Sequence, residues 1–353
     1  MSKLKVGIIG NGGIANSHMR GYLALSDRVE VVACCDINPE KADEFAAKYG
    51  IKNVYYNCYD MLKAQKPDLV SVCTWNSAHC ECTVAALEAG CNVLCEKPMA
   101  MNAAEAEKMK AAADKSGKLL MLGFVRRHGN DAKKALALAE SGELGDVYFA
   151  KASYLRRCGF PGGWFGDKSL SGGGPLIDLG VHIIDLARYV LGRPQPVSVY
   201  GATFDKLGAR DNIVLERAWQ SQSKLVKPVF NVEDLAVALI RFDNGAVLSV
   251  ETSFNLNLKE PTTEIEIFGS KAGFSFNDFE LHTERGNELA DVKLYGENNF
   301  DFDRDFNREI LNFVDAVEGK APCIAPAEDG VTLMKILDGI YESAATGRSV
   351  EIR

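Results

Sequence analysis

Lys5-Val6-Gly7-Ile8-Ile9-Gly10-Asn11-Gly12-Gly13-Ile14-Ala15 decides the fold of this 353-residue chain. The apolar run reads as a buried strand, the glycines as a tight turn, and Asn16 to Leu25 carries helical periodicity. The pattern is G-x-G-x-x-A, the dinucleotide-binding turn with alanine at its third small position. Gly10 permits the sharp turn, Gly12 lets the backbone approach a pyrophosphate, and Ala15 lets the helix pack close to the strand. The unsatisfied N–H groups and positive dipole end of the helix then favour an anion. Gly10, Asn11, Gly12, Gly13 and Ile14 are therefore candidate cofactor-cradling residues.

Working outward, a second apolar run from Val29 to Cys35 ends at Asp36. That carboxylate stands some twenty positions past the turn, where it would accept hydrogen bonds from an adenosine ribose. Ile37, Asn38 and Pro39 follow, with no arginine to neutralise a 2′-phosphate that Asp36 would repel. NAD is the expected cofactor rather than NADP. Strand and helix go on alternating to about residue 123, which predicts an α/β Rossmann domain over 1–123 with a doubly wound parallel sheet. Residues 124–353 read differently. Helices at 128–141 and 178–191 flank a glycine-rich loop, and long alternating strands follow at 196–204, 232–242, 246–253 and 262–268. Asn244-Gly245 between two of these strands is a hairpin signal. The second domain reads as α+β with a large, open, mostly antiparallel sheet, and helices near the C-terminus could pack back on the first domain. A broad open sheet needs a cover, so a homo-oligomer is expected.

Composition narrows the function. A formal net charge of −8 argues against nucleic acid as partner. No run of about 18 apolar residues predicts a membrane span, and no basic, apolar and cleavage-site sequence reads as a signal peptide. Ten cysteines contain no C-x-x-C pair, and several lie in apolar segments where a thiol acts as a small hydrophobe. Reduced thiols, a cytoplasmic location and no metal site are the expectations.

Two constellations could carry chemistry. Cys95-Glu96-Lys97-Pro98 falls where the fifth parallel strand should end, the edge at which open α/β sheets bind ligands. Lys97 offers three donors, and Pro98 fixes the turn. Gly172-Gly173-Gly174-Pro175-Leu176-Ile177-Asp178-Leu179-Gly180-Val181-His182 places Asp178 and His182 at i and i+4 on one helical face. A carboxylate beside an imidazole sets its tautomer and raises its basicity, as a general base requires. His18, His79, His128 and His282 read as polar surface or capping residues, with some reserve for His79.

Taken together, the glycine turn, Glu96-Lys97-Pro98, Gly123-Phe124-Val125-Arg126-Arg127 and the glycine–Asp178–His182 motif resemble the glucose–fructose oxidoreductase, inositol dehydrogenase and MocA family over nearly the whole chain. The resemblance implies NAD-dependent oxidation or reduction of a secondary ring hydroxyl on a polyhydroxylated substrate, in a dimer or tetramer. It implies that Lys97 touches the reacting oxygen and the nicotinamide ribose, with Asp178 and His182 as the acid–histidine pair. Thr74, Asn76 and His79, in a segment resembling T-P-N-x-x-H, would line the cofactor cleft together with Glu96; Trp75 replaces the usual proline. Arg127, Arg156 and Trp164 are expected on the substrate side. A sugar or glucoside oxidised at its 3-hydroxyl ranks first, inositol second and a sugar phosphate last. An NAD-retaining glycosidase and a non-enzymatic NAD-binding sensor are the rival activities.

Overall fold

The computed structural model describes residues 2–213, 220, 221, 223 and 229–352. They form two units, Met1–His128 with Asp301–Val331 and Gly129–Phe300 with Thr332–Arg353.

The first unit alternates β1 (Leu4–Ile9), α1 (Ala15–Leu23), β2 (Val29–Cys35), α2 (Pro39–Tyr49), β3 (Asn53–Tyr55), α3 (Cys58–Gln65), β4 (Leu69–Val72), α4 (Asn76–Glu88), β5 (Asn92–Glu96), α5 (Ala103–Ser116) and β6 (Leu120–Gly123). The strands pair in parallel in the order β3-β2-β1-β4-β5-β6. That is the doubly wound order whose direction reverses between β1 and β4. Near-continuous apolar runs suit strands covered on both faces. Asparagine side chains cap three of the helices: Asn38 accepts from Glu40 and Lys41 N–H, Asn57 from Tyr59 and Asp60, and Asn102 from Glu105. Each such cap contributes about 1 kcal/mol. α1 has no side-chain cap and no acid in its first turn, which leaves its N-terminus suited to an external anion. A later helix, Phe302–Val317, packs on α1. A Cβ at Gly21 would stand 2.5 Å from Ile310 Cγ1, so glycine is what lets the two helices approach.

The second unit contains α6 (Asn130–Glu140), β7 (Val147–Leu155), α7 (Lys168–Ser171), α8 (Val181–Val190), β8 (Pro196–Phe204), β9 (Leu235–Phe242), β10 (Val247–Ser253), β11 (Thr262–Gly269), β12 (Ala272–Ser275), β13 (Glu280–Arg285) and β14 (Glu288–Lys293). The chain closes with α9, the helix Phe302–Val317 already met, then α10 (Ala327–Thr346) and β15 (Val350–Glu351). The nine strands run β14-β13-β12-β11-β7-β10-β9-β8-β15. Only β7 and β10 pair in parallel; every other neighbouring pair is antiparallel. The Asn244-Gly245 hairpin joins β9 to β10, with Gly245 at φ +86°. The parallel and mixed sheets are those expected from the sequence. Three features lie outside that expectation: the edge strands β14 and β15, the short α7 inside the glycine-rich loop, and a five-residue π turn, Leu176–Gly180, that replaces the first turn of the predicted 178–191 helix.

Candidate active site

In the first unit the glycine turn leaves β1 with Gly10 at φ +87°. A Cβ there would lie 2.6 Å from the Cys73 carbonyl carbon, whereas Cβ atoms at Gly12 and Gly13 would meet nothing within 4 Å. The turn is thus closed against β4 on one side and open on the other. Asp36 ties it to β2: Oδ2 accepts the Asn11 N–H at 2.8 Å and Oδ1 the Asn38 N–H at 2.8 Å. Each carboxylate oxygen keeps a second lone pair for a ribose hydroxyl. The Asn11 amide is buried, yet neither its oxygen nor its nitrogen has a partner among the described residues. Buried polar atoms are ordinarily satisfied. Two orphaned ones beside an open glycine turn and the uncapped start of α1 (which opens just past Ile14) fit a polar, anionic ligand such as a dinucleotide.

Thr74 follows β4, and α4 opens on buried Asn76. His79 is fully enclosed, with Nδ1 2.7 Å from the Pro98 carbonyl and Nε2 3.2 Å from that of Thr74. Burial pushes this imidazole below its ordinary value despite the two carbonyls. A neutral ring has one N–H, and the shorter contact assigns it to Nδ1. His79 therefore links the Thr74 segment to the Lys97–Pro98 turn, whose peptide is cis. Glu96 ends β5 and is buried; its Oε2 accepts the Lys97 N–H at 3.1 Å, while Lys97 itself is half-buried.

Two histidines correct their surface assignment. His18 is 0% exposed and bonded to Ser71 and Glu96, and His128 is buried beneath α9. His282 is exposed and pairs with Asp291. Arg127 is corrected as well. It is 1% exposed, and its guanidinium donates to Asp329 and to the Ile324 carbonyl, both at 2.7 Å. An ion pair so enclosed holds structure and has no face left for a substrate.

In the second unit the π turn carries half-buried Asp178, and His182 stands one turn into the continuing helix. Single π turns inside helices recur at functional sites because they redirect side chains. Glu233, which the sequence did not single out, holds this turn. Its carboxylate accepts from Gly174 N–H at 3.0 Å, Leu176 N–H at 3.2 Å and the Tyr341 hydroxyl at 2.9 Å. Burial raises the Glu233 carboxyl in spite of these donors. A Cβ on Gly173 would sit 2.0 Å from the Tyr341 oxygen, and one on Gly174 2.1 Å from the Glu233 carbonyl oxygen. The glycines are required by this close approach. Leu179, beside Asp178, packs with Phe160 and Phe254, against which Tyr154 and Phe165 also rest. Trp164 stacks on Phe165 at 4.1 Å, and Arg156 lies over the Tyr154 ring while donating to Gly159 O at 3.0 Å. The aromatic cluster that Leu179 joins thus also carries Arg156 and Trp164.

Comparison with known proteins agrees with these features. The family model "Oxidoreductase family, NAD-binding Rossmann fold" matches residues 4–124, and its companion, the C-terminal alpha/beta domain, matches 137–352. The chain belongs to this Gfo/Idh/MocA family of NAD-dependent oxidoreductases. Over 353 residues it is 38% identical to D-glucoside 3-dehydrogenase of Escherichia coli K12, covering 99% of this chain and 98% of that protein. It is 24% identical to myo-inositol 2-dehydrogenase of Thermotoga maritima, covering 99% and 98%. Among solved structures, levoglucosan dehydrogenase in complex with NADH superposes with a TM-score of 0.83 at 26% identity over 100% of both chains.

Proposed function

We propose that this protein is an NAD-dependent dehydrogenase that oxidises the 3-hydroxyl of a D-glucoside to the 3-keto compound. The supporting observation is the 38% identity, sustained over 99% of the chain, to a D-glucoside 3-dehydrogenase. NAD, when bound, supplies the hydride acceptor, and the protein supplies orientation and proton handling. The open Gly12-Gly13 turn and the Asn11 amide would hold the pyrophosphate side, and Asp36 the ribose. Thr74, Asn76 and Glu96 would line the nicotinamide side. In the reaction His182 accepts the hydroxyl proton, Asp178 fixes its tautomer, and the Lys97 ammonium stabilises the developing alkoxide. A positioned base contributes about 10²–10⁴-fold. Arg156 and Trp164 would receive the sugar ring, an arginine fork and an aromatic face suiting its hydroxyls and C–H groups.

Inositol is the second reading, favoured by the full-length likeness to the myo-inositol enzyme. It ranks lower because half of the double-arginine motif behind it, Arg127, is enclosed by Asp329. The protein is further proposed to act in the cytoplasm, in keeping with seven of its ten cysteines being buried as small hydrophobes, and as a homo-oligomer. Steady-state rates with NAD over methyl glucosides, inositols and sugar phosphates test the assignment. Glucosides should give the highest kcat/KM and a 3-keto product, and a preference for inositol or a phosphate would overturn it. NADH should accumulate in step with product, which a glycosidase that retains its cofactor or a sensor would not show. Lys97→Ala should abolish turnover while NADH still binds.

A further inference from the structure

Behind Lys97 the first unit holds a chain of buried polar groups, of which the reaction above uses only Glu96. Tyr22 Oη and Ser71 Oγ lie 2.8 Å apart, Ser71 Oγ and His18 Nδ1 3.0 Å, and His18 Nε2 and Glu96 Oε1 2.9 Å. The other Glu96 oxygen accepts the Lys97 amide. A Cβ on Gly123, paired with Glu96 across β5 and β6, would press to 3.2 Å on that carboxylate. An ionised Glu96 only accepts, so Nε2 carries the imidazole proton. With a neutral ring, Nδ1 then accepts the Ser71 hydroxyl, which accepts that of Tyr22. Every donor points toward Glu96, and the chain ends at the backbone of Lys97.

Glu309 of α9 completes the cluster. It is 0% exposed, neither carboxylate oxygen has a partner among the described residues, and its nearest ligand atom lies within 4.8 Å of His18 and Glu96. Two adjacent buried carboxylates cannot both keep their charge cheaply. Burial alone would raise Glu96, but the His18 hydrogen bond, with the charge and amide of Lys97, outweighs it and holds Glu96 below the usual range. For Glu309, burial and the charge of Glu96 act together and push its carboxyl well above that range. Glu309 is the neutral member, leaving Glu96 as the anion.

We propose that Glu96, anchored by His18, is a positioning residue that sets the backbone of Lys97 for catalysis. The proposal rests on the role of Lys97 assigned above. The titratable groups facing Glu96 are His18 from α1, Cys73 after β4, His79 from α4, Cys95 and Lys97 from its own segment, and Glu309 from α9. Removing the His18 donor leaves Glu96 with its burial but without its main counterweight.

The test measures kcat against pH, KM for a methyl glucoside and NADH binding in the full-length protein and in Lys97→Ala, His18→Leu, His18→Gln and Glu96→Gln. His18→Leu should lower kcat about 10²-fold, the scale of a misplaced catalytic group, with KM and NADH binding little changed. Its acid limb should move to higher pH as Glu96 titrates. His18→Gln, which restores a donor, should recover part of kcat. Glu96→Gln should be slow with its acid limb where the parent has it, and it carries the test if His18→Leu does not fold. Turnover surviving in Lys97→Ala overturns the catalytic assignment itself. Turnover lost there but intact, with an unshifted acid limb, in His18→Leu overturns the positioning proposal alone. A stoichiometric metal ion in the purified protein that Glu309→Gln loses would also overturn it, because the cluster would then be a metal site.

Discussion

At the residue scale, the histidines separate what a local pattern reveals from what it hides. His182 was legible because Asp178 stands four positions before it behind a glycine run, a relation contained in one short stretch. His18 was not. It lies among polar neighbours in Ala15–Leu23, and its partners Ser71 and Glu96 are 53 and 78 positions away. Arg127 misled for a similar reason, since Asp329 lies 202 positions on. A buried polar side chain is defined by partners that only folding brings together. Glu309 yields a prediction of the same kind. Its folded carboxyl is raised above the unfolded value of about 4.3. Its contribution to stability is therefore undiminished below that pH and declines as pH rises toward the folded value. Glu309→Gln is an uncharged isostere with no such decline. The stability of the variant relative to the parent should increase from pH 5 to pH 8, read as the difference in Tm. A difference that is flat or shrinks across this range would show that Glu309 is ionised in the fold.

At the element scale, strands and helices of the first unit were readable because most of its apolar runs are buried on both faces and α2, α3 and α5 open on a capping asparagine. What escaped had no such signal. β14 alternates between exposed and half-buried positions and is rich in charge, and β15 spans two residues. The π turn depends on Glu233, which lies 57 positions beyond Leu176. It follows that the turn and the Asp178–His182 pair it carries are sensitive to the glycines against Glu233. Gly174→Ala would thrust its methyl group into the Glu233 carbonyl, a backbone atom that cannot swing aside. The expected cost is about 1–3 kcal/mol of stability, together with a fall in kcat larger than the change in NADH affinity. Glu233→Gln is the milder probe. It keeps one carbonyl acceptor but turns an N–H₂ toward donors, so kcat should fall with little loss of Tm. Should both variants keep parental kcat, Glu233 would have no part in holding the catalytic turn.

At the scale of the whole molecule, the sheet of the second unit presents apolar side chains that stay exposed among the described residues. Tyr200 on β8 and Leu239 on β9 are cross-strand partners, 51% and 49% exposed. Isolated exposed apolar residues are ordinary, but a cross-strand pair on one sheet face is where the proposed homo-oligomer would find an interface. A twofold interface would bring the same patch from each copy together, so one substitution acts twice. A lysine at 239 would then bury like charges beside one another, a juxtaposition that costs several kcal/mol. The protein should run by light scattering at a multiple of its 38.4 kDa chain mass, and Leu239→Lys should shift it toward the monomer, more so at low salt where screening is weaker. A parent that is already monomeric at micromolar concentration would refute the oligomer, and an oligomer indifferent to Leu239→Lys would move the interface elsewhere. Because Leu239 lies on a different element from Asp178 and His182, any loss of activity in that variant that tracks dissociation would tie catalysis to assembly.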